Sequence, residues 1–271
     1  MKEKILETVS GVIHYWINDI RPDRKTLVFL PGLTADHHLF DRQTEAFEKE
    51  FNLLAWDAPG HAASRPFRLD FSLMDKAGWL HEILQKEGIA HPILIGQSMG
   101  GYVSQCYMQR YPGEAAGFIS IDSAPLKRSY VTGAEIWLLK RTEPMYRAFP
   151  WKSLKKIGTE GCAESEYGRK LMRSFVDSYT KDAYCRLSGH GMKLLAEAME
   201  ADLPYKIDCP AVLICGEKDQ AGSAKSYNRR WAKTEGLPLY WIREAGHNSN
   251  TDKPEEVNRI IRDFAGSLQE V

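Results

Sequence analysis

The sequence predicts an α/β fold, a mostly parallel eight-stranded sheet with helices on both faces and a helical insertion. Three observations predict it. Short β-rich runs alternate with helical stretches along most of the 271 residues. Most of these runs are continuously apolar rather than alternating, as suits strands buried on both faces of a parallel sheet. From about Leu126 to Pro204 the strand signal disappears, and the chain stays helical and aromatic. A βαβα alternation implies crossover helices covering both sheet faces.

The elements follow in order. Ile5 to Val9 and Val12 to Ile17 flank Ser10-Gly11 and read as an opening hairpin with a two-residue turn. The later runs are Thr26 to Leu30, Asn52 to Trp56, Pro92 to Ile95, Gly117 to Ile121, Ala211 to Cys215 and Leu239 to Ile242. Leu73, Ala77, Leu80 and Leu84 share one helical face behind Ser72, with Asp75 placed to complete a capping box. A helix is also expected from Met99 to Tyr111. Pro254, Glu255 and Glu256 open a last helix whose Val257, Ile260, Ile261 and Phe264 face the core. In the strandless stretch, Tyr130, Trp137, Tyr146, Phe149, Trp151, Tyr167, Phe175, Tyr179 and Tyr184 are expected on the inner faces of a small helical subdomain, some of them lining a pocket. The expected division is a core of residues 1–125 and 205–271 with a helical subdomain of 126–204 inserted in it.

Composition narrows the function classes. Lys+Arg and Asp+Glu are 36 each, so the zero formal charge offers no electrostatic basis for binding nucleic acid or an anionic membrane. Apolar residues at 43% and charged residues at 27% match ordinary globular domains and exclude disorder and fibrous repeats. The longest apolar runs, Leu27 to Leu30 and Ala211 to Cys215, fall far short of the roughly 18 residues a membrane span needs. Lys2 and Lys4 are followed by Glu3, Glu7, Thr8, Ser10 and His14, which interrupt any signal-peptide core. Five cysteines, at 106, 162, 185, 209 and 215, form an odd set without a Cys-x-x-Cys pair. The expectation is a cytoplasmic protein without disulfides, a monomer or homodimer.

The chemistry is carried by Gly96-Gln97-Ser98-Met99-Gly100-Gly101, which follows one strand and precedes a helix. A serine on such a turn takes strained backbone angles, and glycines on either side let the neighbouring chain approach. The helix that follows aims its positive end at the site. Serine needs a base oriented by a third group. Asp219 lies just after the strand Ala211 to Cys215 and His247 just after Leu239 to Ile242, which makes Ser98, Asp219 and His247 the candidate catalytic residues. Asp122 also ends a strand and is the alternative acid. Met99 and Leu33 are the candidate backbone donors of an oxyanion hole, Leu33 because Pro31-Gly32 turns the chain there. Asp57-Ala58-Pro59-Gly60-His61 is read as a structural turn shaping the site floor, His61 included.

On these motifs, Pro31-Gly32, Asp57-x-Pro-Gly-His61, Gly96-x-Ser-x-Gly100-Gly101, Gly216-x-x-Asp219 and Gly246-His247, the chain resembles the α/β-hydrolase superfamily over nearly its whole length. It is most similar to compact, cap-bearing bacterial serine hydrolases. The resemblance implies an α/β-hydrolase fold, Ser98 as nucleophile, Asp219 as acid, His247 as base, and the segment 126–204 as a cap. The chain departs from the pattern at Ala62, where relatives commonly carry a second glycine, and it lacks the His-Gly-Gly-Gly signature of some lipases and esterases.

The expected activity is hydrolysis of a small carboxylic ester or lactone through an acyl-enzyme on Ser98. The alternatives are hydrolysis of a carbon–carbon bond in a dienoic or diketone acid, and a ligand sensor of the same fold without turnover. Arg65, Arg128, Arg141, Arg147, Lys152, Lys155 and Lys156 lie in or near the cap and are candidates for a substrate carboxylate. No cofactor and no metal are expected: there is no phosphate-loop lysine and no Gly-x-Gly-x-x-Gly after the first parallel strand, and His37-His38 lack metal-site spacing.

Overall fold

The computed structural model describes residues 1–269. Strands β1 (Lys2–Thr8) and β2 (Gly11–Ile17) form the opening hairpin. Thr8 pairs with Gly11, so Val9 and Ser10 make the turn, one residue earlier than expected. β1 starts at Lys2 rather than Ile5 because it is an exposed edge strand, whose charged residues mask it. The chain continues through β3 (Thr26–Leu30), α1 (Asp41–Phe47), β4 (Asn52–Trp56), α2 (Leu73–Lys86), β5 (Ile93–Gln97), α3 (Met99–Arg110) and β6 (Gly117–Ile121). Five helices follow, α4 (Gly133–Leu139), α5 (Thr142–Ala148), α6 (Trp151–Glu160), α7 (Glu166–Asp177) and α8 (Lys181–Glu200). The chain then closes with β7 (Ala211–Gly216), α9 (Ala224–Glu235), β8 (Leu239–Ile242), α10 (Ser249–Asp252) and α11 (Pro254–Ser267).

The eight strands form one sheet in the order β1-β2-β4-β3-β5-β6-β7-β8. β1 and β2 pair antiparallel, as do β2 and β4; the remaining pairs are parallel. Continuous apolar strands sort their side chains to opposite faces. Val28 and Leu30 of β3 join Leu80 and Leu84 of α2 and Val103 and Tyr107 of α3 in one layer. Leu27 and Phe29 join Phe47 of α1 and Val257 and Ile261 of α11 in the other. Each such side chain stabilises the fold by roughly 1.5–3 kcal/mol.

The capping box of α2 forms as expected, with Ser72 accepting from the Asp75 N–H and the Asp75 carboxylate accepting from the Ser72 N–H. Of the aromatics in the helical segment, Tyr179 and Tyr184 pack with Leu154, Val176 and Leu187. Trp137 and Phe149 lie on the surface, 55% and 47% exposed, and depart from the expected inner face. Among the described residues no helix is long and apolar enough to cross a membrane.

Candidate functional site

Ser98 occupies the junction of β5 and α3 with φ 49° and ψ −113°. A positive φ at a non-glycine residue is strained, at a cost of about 1–3 kcal/mol. The surrounding packing imposes it. A Cβ on Gly100 would lie 1.8 Å from the Leu30 carbonyl oxygen, and one on Gly96 would lie 2.4 Å from the Gly100 carbonyl carbon. Only bare backbone fits at either position.

The serine hydroxyl lies 2.9 Å from His247 Nε2, and His247 Nδ1 lies 3.1 Å from both Asp219 carboxylate oxygens. A carboxylate only accepts, so Nδ1 carries the proton and Nε2 accepts from the serine. The loops that bring these residues together are tied to one another. Glu217 N–H donates to the Ile242 carbonyl at 3.0 Å and Lys218 N–H to that of Ala245 at 2.8 Å, locking the turn after β7 against the turn after β8. Asp219 is 2% exposed, and its Oδ1 also accepts from the Ala221 N–H at 2.8 Å. Burial opposes the His247 cation, yet the Asp219 charge and hydrogen bond outweigh it and raise the imidazole above its ordinary value.

Several supporting residues were not evident from the sequence. Gln97 donates through Nε2 to the His247 carbonyl at 2.8 Å and to Asn248 Oδ1 at 3.0 Å. Asp252 accepts from the N–H of Gly246 at 2.8 Å and of Ser165 at 2.8 Å, joining the histidine loop to α7. The alternative acid, Asp122, does not face His247 Nδ1. It accepts from the Gly216 N–H at 2.7 Å and from Ser249, while burial and then the nearby Asp219 charge push it above the usual carboxylate range.

The loop after β3 closes over the serine. A Cβ on Gly32 would lie 3.2 Å from Ser98 Cβ, Ala35 N–H turns back onto the Gly32 carbonyl at 3.4 Å, and Thr34 takes φ 66°. Leu33 therefore sits beside Ser98, and Met99, in the first turn of α3, has an N–H without an intrahelical acceptor. Ala62 takes φ 36°, so this position uses the left-handed backbone that glycine adopts freely, and alanine adopts it under strain. His61 is buried, with Nδ1 3.1 Å from the Pro59 carbonyl.

Most of the candidate cations are engaged elsewhere. Arg147 pairs with Glu143 and Asp182 at 2.9 and 2.7 Å, Lys155 with Asp177 at 2.5 Å and Lys156 with Glu160 at 3.7 Å. Arg141 stacks on Trp137, and Arg128 binds the Val131 carbonyl. Arg65 donates to the Ala62 and Ser178 carbonyls at 3.2 and 3.3 Å and stacks on Tyr179, and it lines a cavity of about 670 Å³ between Gly60–Leu69 and α8 that Ser98 does not line. Contrary to the expectation from their spacing, His37 and His38, with Asp36, bring possible ligand atoms within 4.8 Å of one another. Two of those nitrogens are already used, with His37 Nδ1 on Asp57 and His38 Nδ1 on Asp36, both at 2.8 Å.

The chain is similar to several known proteins. The family model described as "alpha/beta hydrolase fold" matches residues 25–254. The uncharacterized hydrolase YugF of Bacillus subtilis (strain 168) is 25% identical, the match covering 95% of this chain and 96% of that protein. A 2-succinyl-6-hydroxy-2,4-cyclohexadiene-1-carboxylate synthase of Escherichia coli O1:K1 / APEC is also 25% identical, covering 91% and 96%. A thermophilic esterase from Thermogutta terrifontis superposes with a TM-score of 0.80 at 20% identity, covering 100% of both chains, a likeness of fold alone. The chain is therefore a hydrolase belonging to the alpha/beta hydrolase family.

Proposed function

We propose that the protein hydrolyses a small carboxylic ester or lactone through an acyl-enzyme on Ser98. The observation carrying this reading is the continuous line from the Ser98 hydroxyl through His247 to Asp219, at 2.9 and 3.1 Å. His247 takes the serine proton as Ser98 attacks the carbonyl. The N–H groups of Met99 and Leu33 hold the oxyanion, and His247 then protonates the leaving group. Water, activated by the same imidazole, releases the acid. Asp219 holds the tautomer and stabilises the imidazolium. Helices α4 to α8, within 126–204, form the cap over this site, and no cofactor or metal enters the reaction.

A fluorophosphonate probe with mass-spectrometric mapping, run beside p-nitrophenyl esters from acetate to decanoate, tests the reading. Labelling at Ser98 that His247→Ala abolishes, with multiple turnovers, is the expected result. A folded protein that neither labels nor turns over would overturn it in favour of a binding protein of this fold. The synthase relative motivates one further arm. Turnover of a dienoic or diketone acid with none of any ester would assign carbon–carbon cleavage instead.

A further inference from the structure

Lys76 is the anomaly of the core. It leaves the first turns of α2 and is 2% exposed, yet among the described residues its ammonium has no carboxylate within ion-pairing distance and no hydrogen-bond acceptor. The Phe71 ring centroid lies 5.5 Å from the ammonium. Burying an unpaired ammonium is strongly unfavourable, and buried charges are ordinarily paired. Two imidazoles share its surroundings. His61 Nε2 and His190 Nε2 are both buried without a hydrogen-bond partner, and His190 packs edge-on against the same Phe71 ring, with centroids 4.7 Å apart. Burial first, and then the Lys76 charge, depress His61 to about 3 and His190 to about 4, while burial brings Lys76 itself down to about 8. The Lys76 charge thus has two buried imidazole Nε2 atoms without partners in its electrostatic surroundings, His190 across the shared Phe71 ring and His61.

Its place in the fold connects it to Ser98. His190 precedes Gly191 in α8, and Gly191 rests so closely on Leu33 that a Cβ there would lie 2.6 Å from Leu33 Cδ1. Leu33 follows Gly32, which packs on Ser98. On the other side, His61 follows Gly60, which lines the 670 Å³ cavity with Arg65 and Arg186. Neither arginine pairs with a carboxylate among the described residues.

We propose that Lys76, flanked by His61 and His190, is a subsite for a carboxylate on the substrate, so that the preferred substrates are half-esters of dicarboxylic acids. The proposal rests on the ester-hydrolase reading and names its substrate class. The carboxylate supplies the missing acceptor for the ammonium, in a charge-assisted hydrogen bond of the strong kind. His190 is one residue along α8 from the Gly191 contact with Leu33, and binding of the anion is expected to add to substrate affinity rather than to the chemical step.

Two measurements separate this proposal from the reading beneath it. On Ser98→Ala, which turns nothing over, glutarate is titrated by calorimetry; saturable binding is expected, retained by Lys76→Arg and weakened about tenfold or more by Lys76→Met, as loss of one charge-assisted contact would do. On the active enzyme, kcat/KM for mono-p-nitrophenyl glutarate is compared with that for p-nitrophenyl valerate. The half-ester is expected to be favoured by about tenfold, and Lys76→Met to erase the preference through KM. Absence of glutarate binding, equal binding in Lys76→Met, or a wild-type preference for the neutral ester overturns the subsite. If Lys76→Met fails to fold, the wild-type ester preference decides alone. Glutarate binding without hydrolysis of any ester would instead sink the hydrolytic reading and leave the subsite standing.

Discussion

Asp122 Oδ2 accepts from both the backbone N–H and the hydroxyl of Ser249, at 2.8 and 2.6 Å, although the two residues are 127 positions apart. The other carboxylate oxygen accepts from the Gly216 N–H at 2.7 Å. A single side chain at the end of β6 thus joins the end of β7, which leads to Asp219, to the start of α10, which follows His247. Removing it leaves buried donors unsatisfied, each costing about 1–3 kcal/mol. Asp122→Ala is expected to lower the melting temperature and also kcat, because the spacing of Asp219 and His247 loosens. Asp122→Asn keeps the acceptor on one side and falls between. Thermal melts run beside kcat/KM check the order, and an Asp122→Ala variant with wild-type kcat refutes the positioning role.

Substituting the proposed nucleophile separates chemistry from stability. Ser98→Ala is expected to lower turnover of a small activated ester by roughly 10³- to 10⁶-fold, the order lost when a triad member is removed. The fold persists, because the strained turn is held by Gly96 and Gly100 rather than by the hydroxyl. Retention of wild-type hydrolysis would end the acyl-enzyme proposal.

The pH profile carries a sign. His247 must be neutral to accept the serine proton, and its environment raises its affinity for that proton above the ordinary value of 6.5. Activity is therefore expected to fall on the acid side through an ionisation above 6.5. Because the folded-state value is raised, the protonated imidazole adds stability that is fully present below the unfolded value and is lost as pH rises through the folded one. Asp219→Asn removes the charge that outweighs burial. The acid limb is then expected to move to lower pH while kcat drops by about 10⁴. A limb unmoved by this substitution would assign it to another group.

Backbone approach at the serine turn is tested by Gly100→Ala. The new methyl would sit 1.8 Å from the Leu30 carbonyl oxygen, a contact no side-chain rotation relieves. Loss of folded protein or of Ser98 labelling is expected, with a destabilisation on the order of 3 kcal/mol or more. Gly266→Ala, in α11 where among the described residues nothing lies within 4 Å of the added methyl, is the matched control and is expected to fold normally.

Much of this site was legible in the chain itself. Continuous apolar runs mark strands covered on both faces, and a parallel sheet collects the carboxyl ends of its strands along one edge. Ser98, Asp219 and His247 each follow such a run, so their convergence was readable before any coordinates. The glycines around Ser98 were legible for the same reason, since a tight strand-to-helix turn needs them.

Other features had no local signature. Asp122 and Asp219 both end strands, and the choice between them depends on which carboxylate meets His247 Nδ1, a matter of loop packing. The partners of Arg147 and Lys155 on other helices, Asp182 and Asp177, lie 35 and 22 positions away in the chain and leave no local sign. Lys76 reads as an ordinary helix lysine, three positions from Leu73, and is buried because α8 packs against α2. By itself the sequence determined the order of the strands, the helices with a clear periodic face or cap, and the residues at the strand ends, because periodicity and turn chemistry act over a few neighbours. Only the tertiary structure decided which charges pair across the fold and which polar atoms are buried without partners, because those depend on contacts between segments distant in the chain.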